Sequence, residues 1–510
     1  MEKQERFEDW QPPVIEHGKL TQWNWMVQHP ENLKLGKRVD IGAFTYINAK
    51  HGVEIGDDVQ IGSHCSIYSL STIDDKQGKI VIKKGAKIGS HSTIMPDISI
   101  GENAIIGAHS FVNQDIPSNV VAYGIPAKVT GIEKQELKSP SIPLAQPHIA
   151  EDDIENVTAV LKSGVLSLGP KIREFEQKFA KTIGTKYAVG VNSGTSGLHL
   201  CIRALGLKEG DEVITSPFSF IASANCILYE RATPVFVDVE EDTFNIDPDK
   251  IEAAITPKTK ALLVPHIFGQ SCDMTKIMKI AKKHHLKVIE DACESINATH
   301  HGRKVGTFGD VAVFAFYPNK QMTTGEGGMI VTDNKEIYEY CKSASNQGRS
   351  NDLQWLTHDK LGYNYRLDEM SAALGIAQLN KIDFLIKKRQ EVASKYIEEL
   401  SEIEDIILPK IKPENISTWF VFPLRVKEKI RDKLIQKLNE KGIQSKAYFF
   451  PCIHLQPFYK EKFGYQKGTF PIAEKLSKET LIIPFYPALT NEQIKEVKEK
   501  IKESLAELKG

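Results

Sequence analysis

Three short segments carry residue types that could do chemistry together. Asn192-Ser193-Gly194-Thr195-Ser196-Gly197 follows the apolar run YAVGV and opens a helical stretch. Backbone N–H groups at a helix start, with small hydroxyls beside them, suit a phosphate. The same six residues also read as a plain tight turn. Glu290-Asp291 closes the strand-like run KVIED. A carboxylate there can pair with a protonated ring nitrogen, or cap the helix that follows. Lys320, in Phe316-Tyr317-Pro318-Asn319-Lys320, lies just past another apolar run, VAVFAF. Taken singly, a lysine is more often a surface charge than a nucleophile. Taken together, the three describe a site for pyridoxal 5'-phosphate (PLP): a phosphate cradle, an acid for the pyridinium nitrogen and a Schiff-base lysine.

A second series is made of histidines in like surroundings: Ile61-Gly62-Ser63-His64, Ile88-Gly89-Ser90-His91 and Ile106-Gly107-Ala108-His109. His91 and His109 are 18 residues apart. If one coil of chain takes that many residues, their side chains share a face at about one strand spacing, ~4.8 Å. Spacing alone leaves open a metal pair, a catalytic base with a neighbour, or surface residues.

The elements that must position these residues differ between the two ends of the chain. Leu35, Ile41 and Ile47 fall on a six-residue beat; it slips by two to Ile55, Ile61 and Ile67, then resumes at Ile82, Ile88, Ile94, Ile100, Ile106 and Val112. Gly follows the aliphatic residue at 36, 42, 56, 62, 89, 101 and 107. Neither a helix nor an alternating strand has this period. Hexapeptide repeats do, and they predict a left-handed parallel β-helix with the aliphatic residues pointing into a prism. The glycines are assigned to its corners, for their backbone freedom. The interruption at 68–81, polar and containing Asp74, Asp75, Lys76 and Gly78, is expected to leave as a loop. From about 143 onward, apolar runs at 187–191, 213–216, 234–239, 261–267, 287–291 and 311–316 alternate with helical stretches such as 174–181 and 274–284. That alternation predicts an α/β unit with a mainly parallel sheet covered on both faces. The expected domains are therefore 1–131, a charged and proline-bearing linker at 132–142, and 143–510, the last divided near 385 into a large and a small C-terminal α+β subdomain.

Bulk properties narrow the function classes. The 510 residues suggest about three domains. A net charge of −1 argues against nucleic acid as a partner. No apolar run approaches the roughly 18 residues of a membrane span, and the start, MEKQERFEDWQPP, has no secretory pattern. Seven widely spaced Cys without a CxxC fit reduced thiols, with no metal site expected and a cytoplasmic location.

Residues 143–510 resemble the DegT/DnrJ/EryC1/StrS sugar aminotransferases of fold type I, through NSGTSGLHL, GDEVITSPFSFIASANCIL, VIEDACES, GTFGDVAVFAFYPNKQMTTGEGGMIVTD and LGYNYRLDEMSAALGIAQL. The resemblance implies that Lys320 holds PLP and moves protons, that Asp291 keeps the pyridine nitrogen protonated, and that Phe220 stacks on the ring. It further implies that Gly194, Thr195 and Ser196 hold the phosphate, while Asn364 reaches the phosphate of a neighbouring subunit, so that the active unit is a dimer. Two positions depart from the common pattern. Ala315 stands where many members have a phosphate-binding Ser. Many members have Gln or His at the position of Glu294; this chain shares its Glu with relatives resembling the perosamine synthases, which aminate C4, and so leans toward C4 rather than C3. Residues 30–131 resemble the galactoside and maltose O-acetyltransferases through the stretch AKIGSHSTIMPDISIGENAIIGAHSFVNQDIPSNVVAYGIPAK. That resemblance places the catalytic histidine at His91 and Lys128 along coenzyme A; His109 occupies a position that is commonly Gly or Ser. The fusion implies consecutive steps: an amine passes from glutamate to a nucleotide-linked keto-deoxysugar, and acetyl-CoA then acetylates it. Trimeric β-helices and dimeric aminotransferases in one chain imply a homohexamer.

Overall fold

The six-residue beat closes into coils in the computed structural model, which describes residues 11–132, 142–350 and 357–509. Three parallel ladders build the N-terminal prism. One joins Met26–Gln28, Tyr46–Asn48, Ser66–Tyr68, Thr93–Ile94 and Phe111–Val112; another joins Leu33–Leu35, Val53–Ile55, Ile80–Ile82 and Ser99–Ile100. The third runs through Asp40–Ile41, Gln60–Ile61, Lys87–Ile88, Ile105–Ile106 and Val120–Tyr123. Register stacks Ile41, Ile61, Ile88 and Ile106 in one column and Ile47, Ile67, Ile94 and Val112 in another. All eight are buried, each contributing about 1.5–3 kcal/mol over an exposed side chain. The interruption leaves as a small hairpin: Leu70 bridges Gln77 antiparallel, and Ile73 stands 97% exposed beyond it. Lys128–Ile132 pairs antiparallel with Val120–Tyr123 and ends the stack.

The glycines do a different job from the one expected. None of those on the beat has a positive φ; a Cβ on Gly42 would lie 2.3 Å from Ser63 N, and one on Gly89 2.4 Å from Ala108 N. They are needed because the next coil passes too close for a side chain. The left-handed backbone is taken instead by residues with side chains, among them Phe44, His64, His91 and His109, at φ between 57° and 62°.

Contacts divide the chain into two compact units, Met1–Leu137 and Lys138–Gly510. Most of the expected linker, residues 133–141, lies outside the described residues. The second unit holds a seven-stranded sheet: β1 (Tyr187–Val191), β2 (Glu212–Thr215), β3 (Thr233–Phe236), β4 (Thr259–Pro265), β5 (Lys287–Asp291), β6 (Val311–Ala315) and β7 (Gly328–Thr332), in the order β1-β7-β6-β5-β4-β2-β3. β7, which the alternation did not suggest, runs antiparallel to both neighbours; the pairs among β2 to β6 are parallel. Helices α1 (Pro170–Ile183), α2 (Gly194–Ala204), α3 (Ala222–Tyr229), α4 (Met274–His284), α5 (Lys335–Ala344) and α6 (Glu369–Asn380) belong with this sheet. Helix α7 (Ile382–Leu400) ties two cores together. Ile382, Leu385 and Ile386 pack in that of the large sheet, whereas Val392, Tyr396 and Leu400 pack against the small sheet of Phe422–Arg425, Lys446–Ala447 and Thr480–Ile483.

Candidate active site

Strands β1, β4, β5 and β6 deliver their C-terminal ends to one cavity of about 490 Å³, the edge at which parallel sheets bind ligands. Gly194, Thr195, Phe220, Asp291, Glu294, Ala315 and Lys320 line it. Sequence-distant residues are thus brought together because the strands preceding them are neighbours.

α2 begins at Gly194, capped by Ser193, whose Oγ accepts the N–H of Ser196. The N–H groups of Gly194 and Thr195 belong to the first helical turn and have no intrahelical acceptor. Gly194 is tightly fitted: a Cβ there would lie 2.8 Å from Ala315 Cβ and 2.9 Å from Cys293 Sγ. Ser196 sits differently from its two neighbours. It does not line the cavity, and its Oγ donates to Asn192 Oδ1 at 2.7 Å.

Asp291 is buried at the end of β5. Its Oδ2 accepts from Ser223 Oγ at 2.7 Å, and Oδ1 from the N–H of Cys293 at 3.3 Å. Its neighbour Glu290 points to the other face, as strand alternation requires. There it accepts the N–H groups of Gly306, Phe308 and Gly309 and meets His266 Nε2. Of the two strand-end acids, only Asp291 is offered to the cavity. Lys320 Nζ lies 3.5 Å from Glu294 Oε1 and 3.8 Å from the ring centre of Phe420. Burial pushes the Glu294 carboxyl up from its ordinary range, against the pull of Lys320, while its Oε2 accepts the N–H of Phe268.

Asn364 is exposed and is not among the residues that line the cavity, although its backbone O accepts from Asn192 Nδ2, in the loop before Gly194, at 3.5 Å. Tyr363 and Tyr365 on either side turn inward. Tyr363 OH accepts from Arg203 Nη1 at 2.6 Å, and Tyr365 OH meets His199 Nδ1 at 3.2 Å, both on α2. Glu230 binds both Arg203 and His199. The helix that opens at the phosphate-type loop therefore also fixes the segment carrying Asn364.

Several lining residues gave no local sign. Tyr448, His266 and Cys293 line the cavity, and Phe420 covers Lys320. Tyr448 and Phe420 come from the small subdomain, more than 90 residues beyond Lys320 in the chain. Ser223, one turn after Ser219 on a helix facing Asp291, was legible only as part of a family segment.

On the first unit, His64, His91 and His109 are exposed at one corner, with His91 and His109 ring centres 4.6 Å apart, and Lys128 is exposed at the start of the closing strand. Elsewhere His17, His29 and Glu31 bring ligand-type atoms within 4.8 Å of one another. However, His17 Nδ1 already accepts the N–H of His29, so that lone pair is engaged. Among the described residues no helix is long and apolar enough to cross a membrane, and all seven Cys are free thiols.

Residues 147–502 match the model of the DegT/DnrJ/EryC1/StrS aminotransferase family. The chain belongs to that family. Residues 79–114 match bacterial transferase hexapeptide repeats. The aminotransferase part is 40% identical over 363 residues to the GDP-perosamine synthase of Escherichia coli O157:H7, covering 71% of this chain and 98% of that protein. It is 39% identical over 376 residues to the spore coat polysaccharide biosynthesis protein SpsC of Bacillus subtilis, covering 71% and 96%. Among solved structures it is similar to S. venezuelae DesV in complex with a ketimine intermediate (36% identity, TM-score 0.66, 69% of this chain and 93% of that one). It is also similar to the PLP form of the putative sugar aminotransferase Spr1654 of Streptococcus pneumoniae (26%, TM-score 0.68, 72% and 99%).

PLP is the cofactor of this sugar aminotransferase family, and the cavity residues fit it. Two unpaired N–H donors at a helix start suit the phosphate, a buried acceptor-only carboxylate suits a protonated ring nitrogen, and a primary amine stands in the same cavity. The volume falls in the range of cofactor and substrate sites.

Proposed function

We propose that this chain aminates a nucleotide-linked keto-deoxysugar with glutamate as donor and then N-acetylates the product, for a bacterial surface polysaccharide. The observation that carries the amination is Lys320 and Asp291 in one cavity. When bound, PLP supplies the electron sink for breaking bonds at the carbon that carries the nitrogen. Gly194 and Thr195 bind its phosphate through their N–H groups, with Ala315 leaving that task to them and to Asn364 of a second copy. Asp291 holds a proton on the ring nitrogen, itself fixed by Ser223. Phe220 covers the ring. Nζ of Lys320 carries a proton to and from the reacting sugar carbon, held there by Glu294 and the face of Phe420. Glu294 and the similarity to GDP-perosamine synthases favour C4 as the carbon aminated.

The hexapeptide unit supports an acyl transfer with acetyl-CoA as donor. The sugar amine attacks the thioester carbonyl, the carbon–sulfur bond breaks, and His91 takes the proton from nitrogen and gives it to the departing thiolate. Lys128 lies along coenzyme A. Both steps are assigned to the cytoplasm, where nucleotide sugars and acetyl-CoA are made. The test is incubation with UDP-, dTDP- and GDP-linked 3-keto and 4-keto sugars, glutamate, PLP and acetyl-CoA, read by mass spectrometry. One sugar should gain an amine and then an acetyl group. Amination with no acetylation on any sugar would reduce the β-helix to an O-acetylating or purely trimerising unit.

A further inference from the structure

The histidine column on the β-helix explains how a base exposed at a corner is kept in one orientation. The rings of His64 and His91 are 4.8 Å apart and parallel within 1°; those of His91 and His109 are 4.6 Å apart and within 13°. Phe44 continues the column below His64 at 5.1 Å. The backbone sets this register. Each of the four takes the same left-handed conformation, and each N–H binds the coil before it: Phe44 to Asn24 O, His64 to Ala43 O, His91 to Ser63 O and His109 to Ser90 O, at 2.6–3.0 Å. The column survives the hairpin insertion, since His64 and His91 stack although 27 residues separate them.

A histidine acting as a base is ordinarily oriented by a carboxylate or carbonyl on its second nitrogen. The His91 imidazole has no hydrogen-bond partner among the described residues. What touches it is a flat ring on each face. We propose that His109 and His64 are positioning residues that hold the His91 ring by its two faces, so that its nitrogen meets the attacking amine at a fixed angle. The inference rests on reading His91 as the acetyl-transfer base. His109 and His64 act through their faces and exchange no proton with substrate, which separates this role from that of a second base.

The full-length protein is assayed for thiol release from acetyl-CoA with UDP-, dTDP- and GDP-linked 4-amino sugars, on the one the wild type acetylates best. His109→Ala should lower kcat by about 10- to 100-fold, the scale of a misplaced reacting group, with KM for acetyl-CoA, melting temperature and amination unchanged. His109→Phe, which restores a ring but no nitrogen, should return kcat to nearly the wild-type value. A wild-type rate in His109→Ala overturns the proposal, and so does a His109→Phe as slow as His109→Ala, since the nitrogen would then matter. His91→Asn keeps the two readings apart. It should lose roughly 10²–10⁴-fold, and if it does so while His109→Ala is unimpaired, only the brace falls. A fully active His91→Asn, or no acetylation of any amino sugar, removes the base assignment and the brace with it.

Discussion

Lys320 depends on groups that no local pattern announces. Its amine lies between a carboxylate and an aromatic face, Glu294 and Phe420, so removing it leaves a buried acid without its cation. Lys320→Ala should abolish amination and the borohydride-fixable attachment of PLP, while acetylation of a supplied amino sugar persists. Amination at the wild-type rate would show that another residue does the work. Glu294 adds a pH signature. Its folded pKa is raised above 4.5, chiefly by burial. Such a carboxyl stabilises the fold while protonated, below 4.5, and that contribution is lost as pH rises through the folded value. Glu294→Gln cannot ionise, so the cofactor-free variant should lose less stability than wild type as pH is raised from 4.5 through that window. Parallel urea midpoints in the two proteins across the window would refute the assignment. Lys320 and Asp291 were legible because each sits where an apolar run stops, and a strand end can present a side chain to a cavity. Tyr448, Phe420 and His266 were not, because their place depends on how the subdomain and the neighbouring strand fold over.

At the level of elements, the two units differ in how much their local pattern says. The β-helix is written in one buried aliphatic residue per six, so its strands and even its column register follow from the beat. The reason for its glycines did not follow, because the distance from Gly42 to Ser63 exists only once the coils are stacked. Gly42→Ala should destabilise the prism by about 1–3 kcal/mol, the usual range for forced overpacking, visible as a lowered melting transition with amination intact. An unchanged melt would mean that the coils can separate at little cost. In the α/β unit, α4 and β5 match their apolar runs residue for residue, whereas β7 escaped notice. The alternation of strand and helix implies parallel neighbours, and β7 follows β6 without an intervening helix. The start of α2 is the most constrained junction of the unit. Gly194→Ala would push a methyl group against Ala315 and Cys293, and the displaced helix start should release PLP more readily. Dialysis followed by cofactor absorbance measures this, and wild-type retention would show that the junction gives way without cost.

For the whole molecule, the proposed function joins in one chain two units for which we propose different symmetries. We propose a threefold contact between prisms, from the resemblance of the first unit to hexapeptide acetyltransferases, and a twofold contact between aminotransferase units, which Asn364, exposed between the inward-turned Tyr363 and Tyr365, suits. The smallest closed group with both axes has six subunits, so light scattering or native mass spectrometry should find six chains. A stable particle of two or three would show that one contact has been lost. The strand Lys128–Ile132 bears on what kind of particle this can be. A solenoid made of parallel rungs ends in a row of open backbone donors and acceptors, a template on which the next molecule could dock and propagate a filament. Here the chain doubles back and lays a strand of opposite direction over Val120–Tyr123. On that ladder another molecule's coil, which would need a parallel rung, meets an antiparallel strand instead. The cap lies on one of the three ladders, and on that ladder it disfavours head-to-tail continuation of the prism by a further parallel coil.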